Sequence, residues 1–557
     1  MFLCIFGRLL YVQVIWGRDL QSKAIDQWTR EIPIVASRGK IVDQNGIILA
    51  TNDDTFTVFA RKSAINDFNE LSKVLSSVLE MDYNYVFERL TKTVSSEVTI
   101  KKHVPKVQID ELLKYNFSGV YVSRDNTRIY PYGDYLSSLL GFTSTDGSGQ
   151  SGLELYYDKF LSGINGEILY ETDIVGVEIE PQKAKYIPAT DGLNIKLTID
   201  YDIQQLCETA MADAMITHQA KSASMIVIDP YSGQIKAICN KPSFNLNEIP
   251  RDDLSALNSL SRNNLFCDIF EPGSTFKIIT SACNIEEYLQ GNPNAYSLEH
   301  TFNSSRYRYI DGQRVKCWSN HSNGKHSALN LQGALNNSCN PIFVDIAMSL
   351  GKDTIYEYIE KFNIGSVTGV DFGGEAQGMI LPKSSAKNVD LARISFGQTI
   401  AMTGLQLIAS VGAAINGGNY YTPYLVSEIY DNNGVVAQKI YPKIKNKVIS
   451  EKASSILCEM LENVVTEGSG KLAYIDGYRV AGKTGTAQKY KNGVIDVGKY
   501  VASFVGFFPA NKPQYLALII VDEPVGSYYG SSVAAPYAKY VFEEIIRIKD
   551  IPMPVAR

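Results

Sequence analysis

Ser274 and Lys277 stand three residues apart in the stretch Glu271-Pro272-Gly273-Ser274-Thr275-Phe276-Lys277. A serine hydroxyl is a weak nucleophile unless a base sits beside it. A lysine that is desolvated, or crowded by another cation, falls in pKa far enough to be that base. Pro272 and Gly273 close the preceding segment, and Ile278, Ile279 and Ala282 continue it as an apolar run. The pattern predicts a helix that starts at Ser274 and carries Lys277 on the same face one turn later. A helix start also offers positive potential and free backbone N–H groups to a developing oxyanion. The chemistry these residues suit is acyl transfer through a serine ester.

Ser-x-x-Lys alone is a weak signal, because further copies begin at Ser37, Ser322, Ser349 and Ser384. Specificity comes from two companions downstream. Ser338-Cys339-Asn340 follows a helix-like run from Leu331 to Asn337, and supplies a hydroxyl for proton relay and an amide for substrate. Lys483-Thr484-Gly485-Thr486 is the one Lys-Thr-Gly in the chain and lies inside a strand pattern from Val480 to Gln488. It supplies a cation and hydroxyls for a terminal carboxylate, and its glycine is expected to let an extended peptide approach the strand edge. The ordered set Ser-x-x-Lys, Ser-x-Asn, Lys-Thr-Gly belongs to one class of serine acyl enzymes.

Elements must bring these three segments together across more than 200 residues of sequence. Strand patterns bracket the region: Asn194 to Ile199, and a hairpin from Met225 to Ile238 turned by Asp229-Pro230-Tyr231-Ser232-Gly233. At the far end lie Tyr478 to Gln488, Val501 to Phe508 and Tyr515 to Asp522, with helical patterns filling much of 274–470. Strands at both ends with helices between them predict an α+β domain, 191–557, whose sheet is closed by its two termini. A boundary falls near Pro188-Ala189-Thr190-Asp191-Gly192. The block before it, 18–190, holds a hairpin signal at Asn45-Gly46, helical patterns near 68–80 and 108–115, and a helix from Leu153 to Leu161. It contains no nucleophile set and reads as a scaffold.

The chain has 557 residues, 45% hydrophobic and 20% charged, which is a globular balance and argues against disorder. Its net charge of -6, without a long basic run, argues against a nucleic-acid partner. Residues 1–17 are apolar but interrupted by Arg8, too short for the ~20 residues of a membrane span. They read as the exit half of a spanning helix, a partial membrane anchor, or as an amphipathic interface helix. No cleavage pattern of a secretory signal follows. Eight cysteines occur without a C-x-x-C; Cys239, Cys283 and Cys458 sit in apolar surroundings and read as core thiols.

These residues resemble the class B penicillin-binding proteins along nearly the whole chain. Arg38-Gly39-Lys40-Ile41-Val42-Asp43-Gln44-Asn45-Gly46 is similar to the family's N-terminal hairpin. Tyr130-Pro131-Tyr132-Gly133 and Gly152-Leu153-Glu154 match its pedestal signatures. Ser395-Phe396-Gly397-Gln398, Ala414-Ile415-Asn416-Gly417-Gly418, Ser503-Phe504-Val505-Gly506-Phe507 and Val533-Ala534-Ala535-Pro536 match its transpeptidase domain. The septal and sporulation branch of Gram-positive bacteria is the most similar. The departures are the incomplete anchor and the absence of a repeated small C-terminal domain after Pro554.

The resemblance implies an elongated α+β pedestal (dimerisation-type) domain, and above it a transpeptidase domain of antiparallel sheet with helices. It implies a single-pass anchor in the cell membrane with catalysis outside. Lys277 would deprotonate Ser274, which attacks the penultimate D-alanine carbonyl of a peptidoglycan stem peptide. Ser338 returns the proton, Asn340 holds the substrate amide and orients Lys277, and N–H groups of Ser274 and Thr486 form the oxyanion hole. Lys483, Thr484 and Thr486, on the strand with Gly485, hold the terminal carboxylate. β-Lactams acylate the same serine, and a membrane glycosyltransferase of division or sporulation is the expected partner. No cofactor is required for catalysis. A β-lactamase or β-lactam sensor is disfavoured by the long N-terminal block, a bare scaffold by the intact motifs, and a bifunctional class A enzyme by the missing glycosyltransferase motif.

One cluster remains outside this scheme. Cys317, His326 and Cys339, with Asp268 just before the nucleophile, converge if the motifs share a cleft, and two thiolates, an imidazole and a carboxylate suit tetrahedral zinc. The spacing is similar to that in clostridial-type class B proteins, and His321 is an alternative to His326. A Cys317–Cys339 disulfide or two unlinked thiols are the competing expectations.

Overall fold

The computed structural model describes residues 2–16, 29–95, 97–171, 185–303, 305–319, 321, 326, 328–491 and 494–553. The Ser-x-x-Lys copy at Ser322–Lys325 lies outside the described residues. A helix covers Phe2–Val14, and among the described residues no helix is long and apolar enough to cross a membrane.

The N-terminal part is built on β2 (Ile41–Val42) and β3 (Ile48–Arg61), joined at Asn45-Gly46 as the sequence predicts. The Asp43 carboxylate accepts from the N–H of Asn45 and Ile47 at 2.8 and 2.7 Å, and Gly46 takes the φ of +91° that closes the turn. The long β3 pairs with β4 (Glu97–Pro105) and β5 (Val120–Ile129). Helices Phe68–Val78, Tyr83–Lys92 and Lys106–Leu113 cover that sheet through Leu71, Leu75, Val86, Leu90 and Leu112. The helix at 83–92 has no counterpart in the sequence expectation, although Val86 and Leu90, one turn apart, form its buried face. A separate antiparallel sheet joins β1 (Thr29–Ile34), β6 (Gly166–Glu171) and β7 (Lys185–Ile187).

Glu154 anchors this part. It is fully buried and receives Arg38 Nε at 2.6 Å and Arg128 Nε at 2.7 Å, with Asp158 taking Arg38 Nη1 at 2.7 Å. Arg38, Arg128 and Glu154 come from three distant segments, so one carboxylate ties the loop before β2, the end of β5 and the helix Gly152–Tyr156.

β2 also runs parallel to β8 (Asn194–Leu197), which pairs with β17 (Val426–Tyr430), followed by β18 (Val436–Lys439). One sheet therefore carries strands from both halves of the chain. The small pairs β16 (Asn419–Tyr421) with β19 (Ile444–Lys447), and β11 (Ile269–Phe270) with β15 (Ile400–Thr403) and β14 (Met379–Ile380), lie in the C-terminal half.

That half is organised by a five-stranded antiparallel sheet in the order β10 (Ile235–Lys241), β9 (Ser222–Ile228), β22 (Tyr515–Asp522), β21 (Val494–Phe508), β20 (Ala481–Lys491). The early hairpin sits beside the last strand, which is the closure by both termini expected from sequence. β9 and β22 read as continuous apolar runs because both their faces are covered. On one face Val227, Phe504 and Phe508 pack against the helices Tyr201–Thr217 and Ala535–Ile548. On the other, Ile226, Ile228, Val505 and Phe507 pack against the helical layer containing Phe276, Ile278 and Leu405. This alternation is the period-2 pleat of a strand.

Glu154→Ala would take the carboxylate from the buried Arg128 guanidinium and leave Arg38 with Asp158, a loss of about 3–5 kcal/mol. Thermal unfolding of the purified chain should show a clearly lowered transition; an unchanged midpoint would contradict the anchoring role.

Candidate active site

The nucleophile segment begins with a single 3-10 turn, Gly273–Phe276, that runs into the helix Lys277–Leu289. Ser274 therefore stands at the helix start, as its sequence context predicts. Gly273 has φ +55°, and its N–H donates to Gly397 O at 3.0 Å. The Ser395-Phe396-Gly397-Gln398 stretch thus braces the turn from behind, and Thr280 Oγ1 donates to Ser395 O at 2.8 Å.

Lys277 is fully buried. Its Nζ lies 3.1 Å from Ser274 Oγ, 2.8 Å from Ser338 O, 3.1 Å from Ser338 Oγ and 2.6 Å from Asn340 Oδ1. Ser338 reaches this position because it adopts φ +51° between the helices Leu331–Asn336 and Asn340–Lys361. That kink turns both its carbonyl and its hydroxyl inward. Lys483 projects from β20, fully buried, and its Nζ lies 3.0 Å from the same Ser338 Oγ and 3.2 Å from Thr484 O. All three motifs meet on one hydroxyl.

Burial pushes the Lys277 amine down to about 8, against smaller opposing pulls from Cys317 and Cys339. Lys483 is driven well below the ordinary lysine value, first by burial and then by the positive charge of Lys277. Two cations cannot share one hydroxyl without cost, so a neutral amine beside Ser274 is favoured. A neutral amine accepts a hydrogen bond, and the arrangement can take the serine proton.

β20 is the edge of its sheet, and among the described residues its one strand partner is β21, which leaves the other edge for an extended peptide. Thr484 Oγ1 donates to Ser469 Oγ at 3.2 Å, and Thr486 Oγ1 accepts from Gly530 N at 3.1 Å. The reason for Gly485 differs from the sequence expectation. A Cβ there would lie 2.4 Å from Ser503 Oγ and 2.9 Å from Thr275 Cγ2, so the glycine admits the nucleophile turn and the neighbouring strand rather than a substrate. Ser469 itself went unnoticed in the sequence; its only signal is the pair of flanking glycines in Gly468-Ser469-Gly470. Its N–H donates to Asn336 O at 2.9 Å, which ties the Lys-Thr-Gly strand to the Ser-x-Asn turn.

The cysteine and histidine cluster forms beside this turn. One ligand atom each of Cys317, His321, His326 and Cys339 lies within 4.8 Å of the others. Cys339 Sγ is 3.8 Å from His321 Nε2, and His326 Nδ1 is buried with no hydrogen-bond partner among the described residues. Cys317 is held far below the ordinary thiol value, first by a hydrogen bond from Cys339 and then, against the opposing effect of its burial, by bonds from His326 and His321. The shared proton pushes Cys339 up. Asp268 stands apart from this cluster. It ends a short helix, leads into β11, and pairs with Arg262 Nε at 2.5 Å. Adjacency to Ser274 in sequence did not carry it to the Ser338 side, and both histidines take part instead of one. Two thiols and two imidazoles are a donor set for tetrahedral zinc.

Comparison with known proteins agrees with this geometry. Residues 223–546 match the penicillin binding protein transpeptidase domain, and residues 33–197 the penicillin-binding protein dimerisation domain. The chain is 37% identical over 539 residues to stage V sporulation protein D of Bacillus subtilis (strain 168), covering 96% of this chain and 82% of that one. It is 28% identical over 559 residues to the peptidoglycan D,D-transpeptidase FtsI of Escherichia coli (strain K12), covering 98% and 90%. In three dimensions it is similar to penicillin binding protein 2X from Streptococcus thermophilus, with a TM-score of 0.78, 22% identity, and coverage of 94% of this chain and 81% of that one. With three motifs converging on one hydroxyl and both domains matched in order, the chain belongs to the class B penicillin-binding proteins.

Proposed function

We propose that this chain is a peptidoglycan D,D-transpeptidase that cross-links stem peptides through an acyl ester on Ser274, in septal or spore cell-wall synthesis. The observation that carries the reading is the buried Lys277 amine, 3.1 Å from both Ser274 Oγ and Ser338 Oγ. Lys277 takes the Ser274 proton as the oxygen attacks the penultimate D-alanine carbonyl. The N–H groups of Ser274 and Thr486 hold the oxyanion. Ser338, bridged to Lys277 and Lys483, passes the proton to the departing D-alanine amine. Asn340 fixes Lys277 and takes the substrate amide. Lys483, Thr484 and Thr486 hold the terminal carboxylate, whose charge favours the ammonium form of Lys483. An amine of a neighbouring stem peptide then resolves the ester. A β-lactam follows the first half of this course.

The N-terminal helix leaves Phe6, Leu9, Leu10 and Val14 at least half exposed, a surface suited to lipid, and supports a single-pass anchor with the catalytic part outside the membrane. The N-terminal part, without a nucleophile set, is the element we assign to contact a membrane glycosyltransferase. We further propose structural zinc held by Cys317, His321, His326 and Cys339. Bound zinc would staple the end of β13 (Gln313–Lys316) to the Ser338 turn; it takes no part in acyl transfer.

Mass spectrometry after reaction with penicillin should place one adduct on Ser274. Ser274→Ala should abolish it, and Lys277→Ala should slow acylation by about 10²–10⁴-fold; an adduct elsewhere would overturn the assignment. Acylation requires the neutral Lys277 amine, whose value lies at about 8. Its rate should therefore rise about tenfold per pH unit below that value and level off above it. A profile flat from pH 6 to 9 rules out Lys277 as base. Native mass spectrometry should find one zinc, lost together with thermal stability in Cys317→Ser and Cys339→Ser. A metal-free protein with two freely alkylated thiols and undiminished stability refutes the zinc site.

A further inference from the structure

The segment leading into Cys317 is a hairpin, β12 (Tyr307–Ile310) against β13, with Tyr307 opposite Lys316, Arg308 opposite Val315, Tyr309 opposite Arg314 and Ile310 opposite Gln313. Directly opposed residues share a face, and the face alternates along each strand. The inner face is fully engaged. Arg308 makes a two-pronged pair with Asp345 at 2.6 Å on each arm, Val315 is buried against Val344, and Gln313 accepts from Arg393 at 3.0 Å. The outer face presents Tyr307, Tyr309, Arg314 and Lys316, and Tyr309 is 71% exposed. The guanidinium groups of Arg306 and Arg314 lie 5.4 and 4.9 Å from the Tyr307 ring centroid. Among the described residues none of Arg306, Arg314 and Lys316 has an ion-pair partner. The nearby acids are accounted for: Asp345 belongs to Arg308, and Asp311, at the hairpin tip, accepts from Asn388 at 3.2 Å.

This face adjoins the catalytic centre. Lys316 O accepts from Asn340 Nδ2 at 3.4 Å, and the same side chain's Oδ1 accepts from Lys277 Nζ at 2.6 Å. Trp318, two residues on, donates from Nε1 to Asn337 O at 3.2 Å. In a chain of net charge -6, an aromatic face with three unpaired cations fits an acidic partner. Arg314 and Lys316 stand two residues apart on one strand, about 7 Å. That spacing suits carboxylates carried on successive or alternate residues of an extended peptide. The open edge of β20 is the one assigned above to the donor peptide, so the acceptor needs a surface of its own.

We infer that the outer face of the β12–β13 hairpin binds the acceptor stem peptide by its carboxylates and steers its amine to the Ser274 ester. The inference rests on the transpeptidase reading and extends it to the second substrate. In the step concerned, the acceptor amine forms a bond to the acyl carbon, the ester bond to Ser274 Oγ breaks, and the amine's proton returns to the serine oxygen. Arg314, Lys316 and Arg306 position the acceptor and move no proton.

The test uses the full chain, a synthetic donor pentapeptide, and two soluble acceptor stem peptides that differ only in having free or amidated carboxylates. The wild-type protein should cross-link the free-carboxylate acceptor about tenfold better, and the preference should shrink as salt is raised. Arg314→Glu should erase that preference without changing the rate of penicillin acylation; Arg314→Gln with Tyr309→Ala gives the same reading should the charge reversal disturb folding. An unchanged preference in these variants, or equal use of both acceptors by the wild type, overturns the inference. So does inhibition by a polyglycerol phosphate or by anionic vesicles but not by the free-carboxylate peptide, which would assign the face to a different polyanion. Failure of the wild type to be acylated at all strikes the transpeptidase reading instead, so the two failures are distinct.

Discussion

Four oxygens within 3.1 Å of one buried amine set the terms for the rest of this structure. An ammonium donates three hydrogen bonds, whereas a neutral amine donates two and leaves a lone pair. Burial lowers the amine to about 8, so the neutral form, in which Ser274 donates its hydroxyl hydrogen to Lys277, comes within reach near that pH. These oxygens come from three residues, each in a turn or at a helix start. The left-handed Ser338 gives two of the oxygens, and Asn340 gives a third because it opens the next helix. Loss of any one segment from its place would let water reach the amine and restore its ordinary basicity.

Holding a nucleophile turn between a strand edge and a bracing loop demands close backbone approach. Gly273, Gly397 and Gly485 make this possible. A Cβ on Gly397 would lie 2.2 Å from Gly273 O, and one on Gly485 would collide with Ser503. The five-stranded sheet supplies the rigid edge. Its central strands are covered on both faces, so β20 keeps its position while its outer side stays open.

Much of this was legible in the sequence because it is local. The Asn45-Gly46 and Asp229-to-Gly233 turns, the helix start at Ser274 and the alternation of the late strands each depend on a few neighbouring residues. The convergence of the three motifs was legible only through resemblance, since no local rule places Lys483 against Ser338 across 145 positions. The cysteine and histidine cluster is half legible. Residue type points to Cys317 and Cys339, whereas Asp268 enters only through its place before Ser274 in the sequence. The pairing of β11 with β15 takes the chain away at that point. The hairpin at 307–316 was not foreseen at all. Its short strands place Arg308 and Gln313 among the inward-facing residues and Tyr307 and Tyr309 outward, so they lack the apolar-polar period by which a half-buried strand is read.

That hairpin joins features that otherwise look unrelated. Its inner face is locked to the helix after Asn340 by the Arg308–Asp345 pair, its last carbonyl meets Asn340, and its chain continues directly into Cys317. Displacement of the hairpin would be felt at three points of one short turn: Ser338, Cys339 and Asn340. A cluster that fixed Cys317 to Cys339 would therefore constrain the same geometry as the ion pair does, at the end of β13 where Val315 lies opposite Arg308. The cost of holding Ser338 at a positive φ is spread over these contacts rather than borne by the turn alone. On this account the residues around the cysteines serve catalysis by rigidity, and the exposed cations of the hairpin are set at a fixed distance from Lys277 by the same contacts.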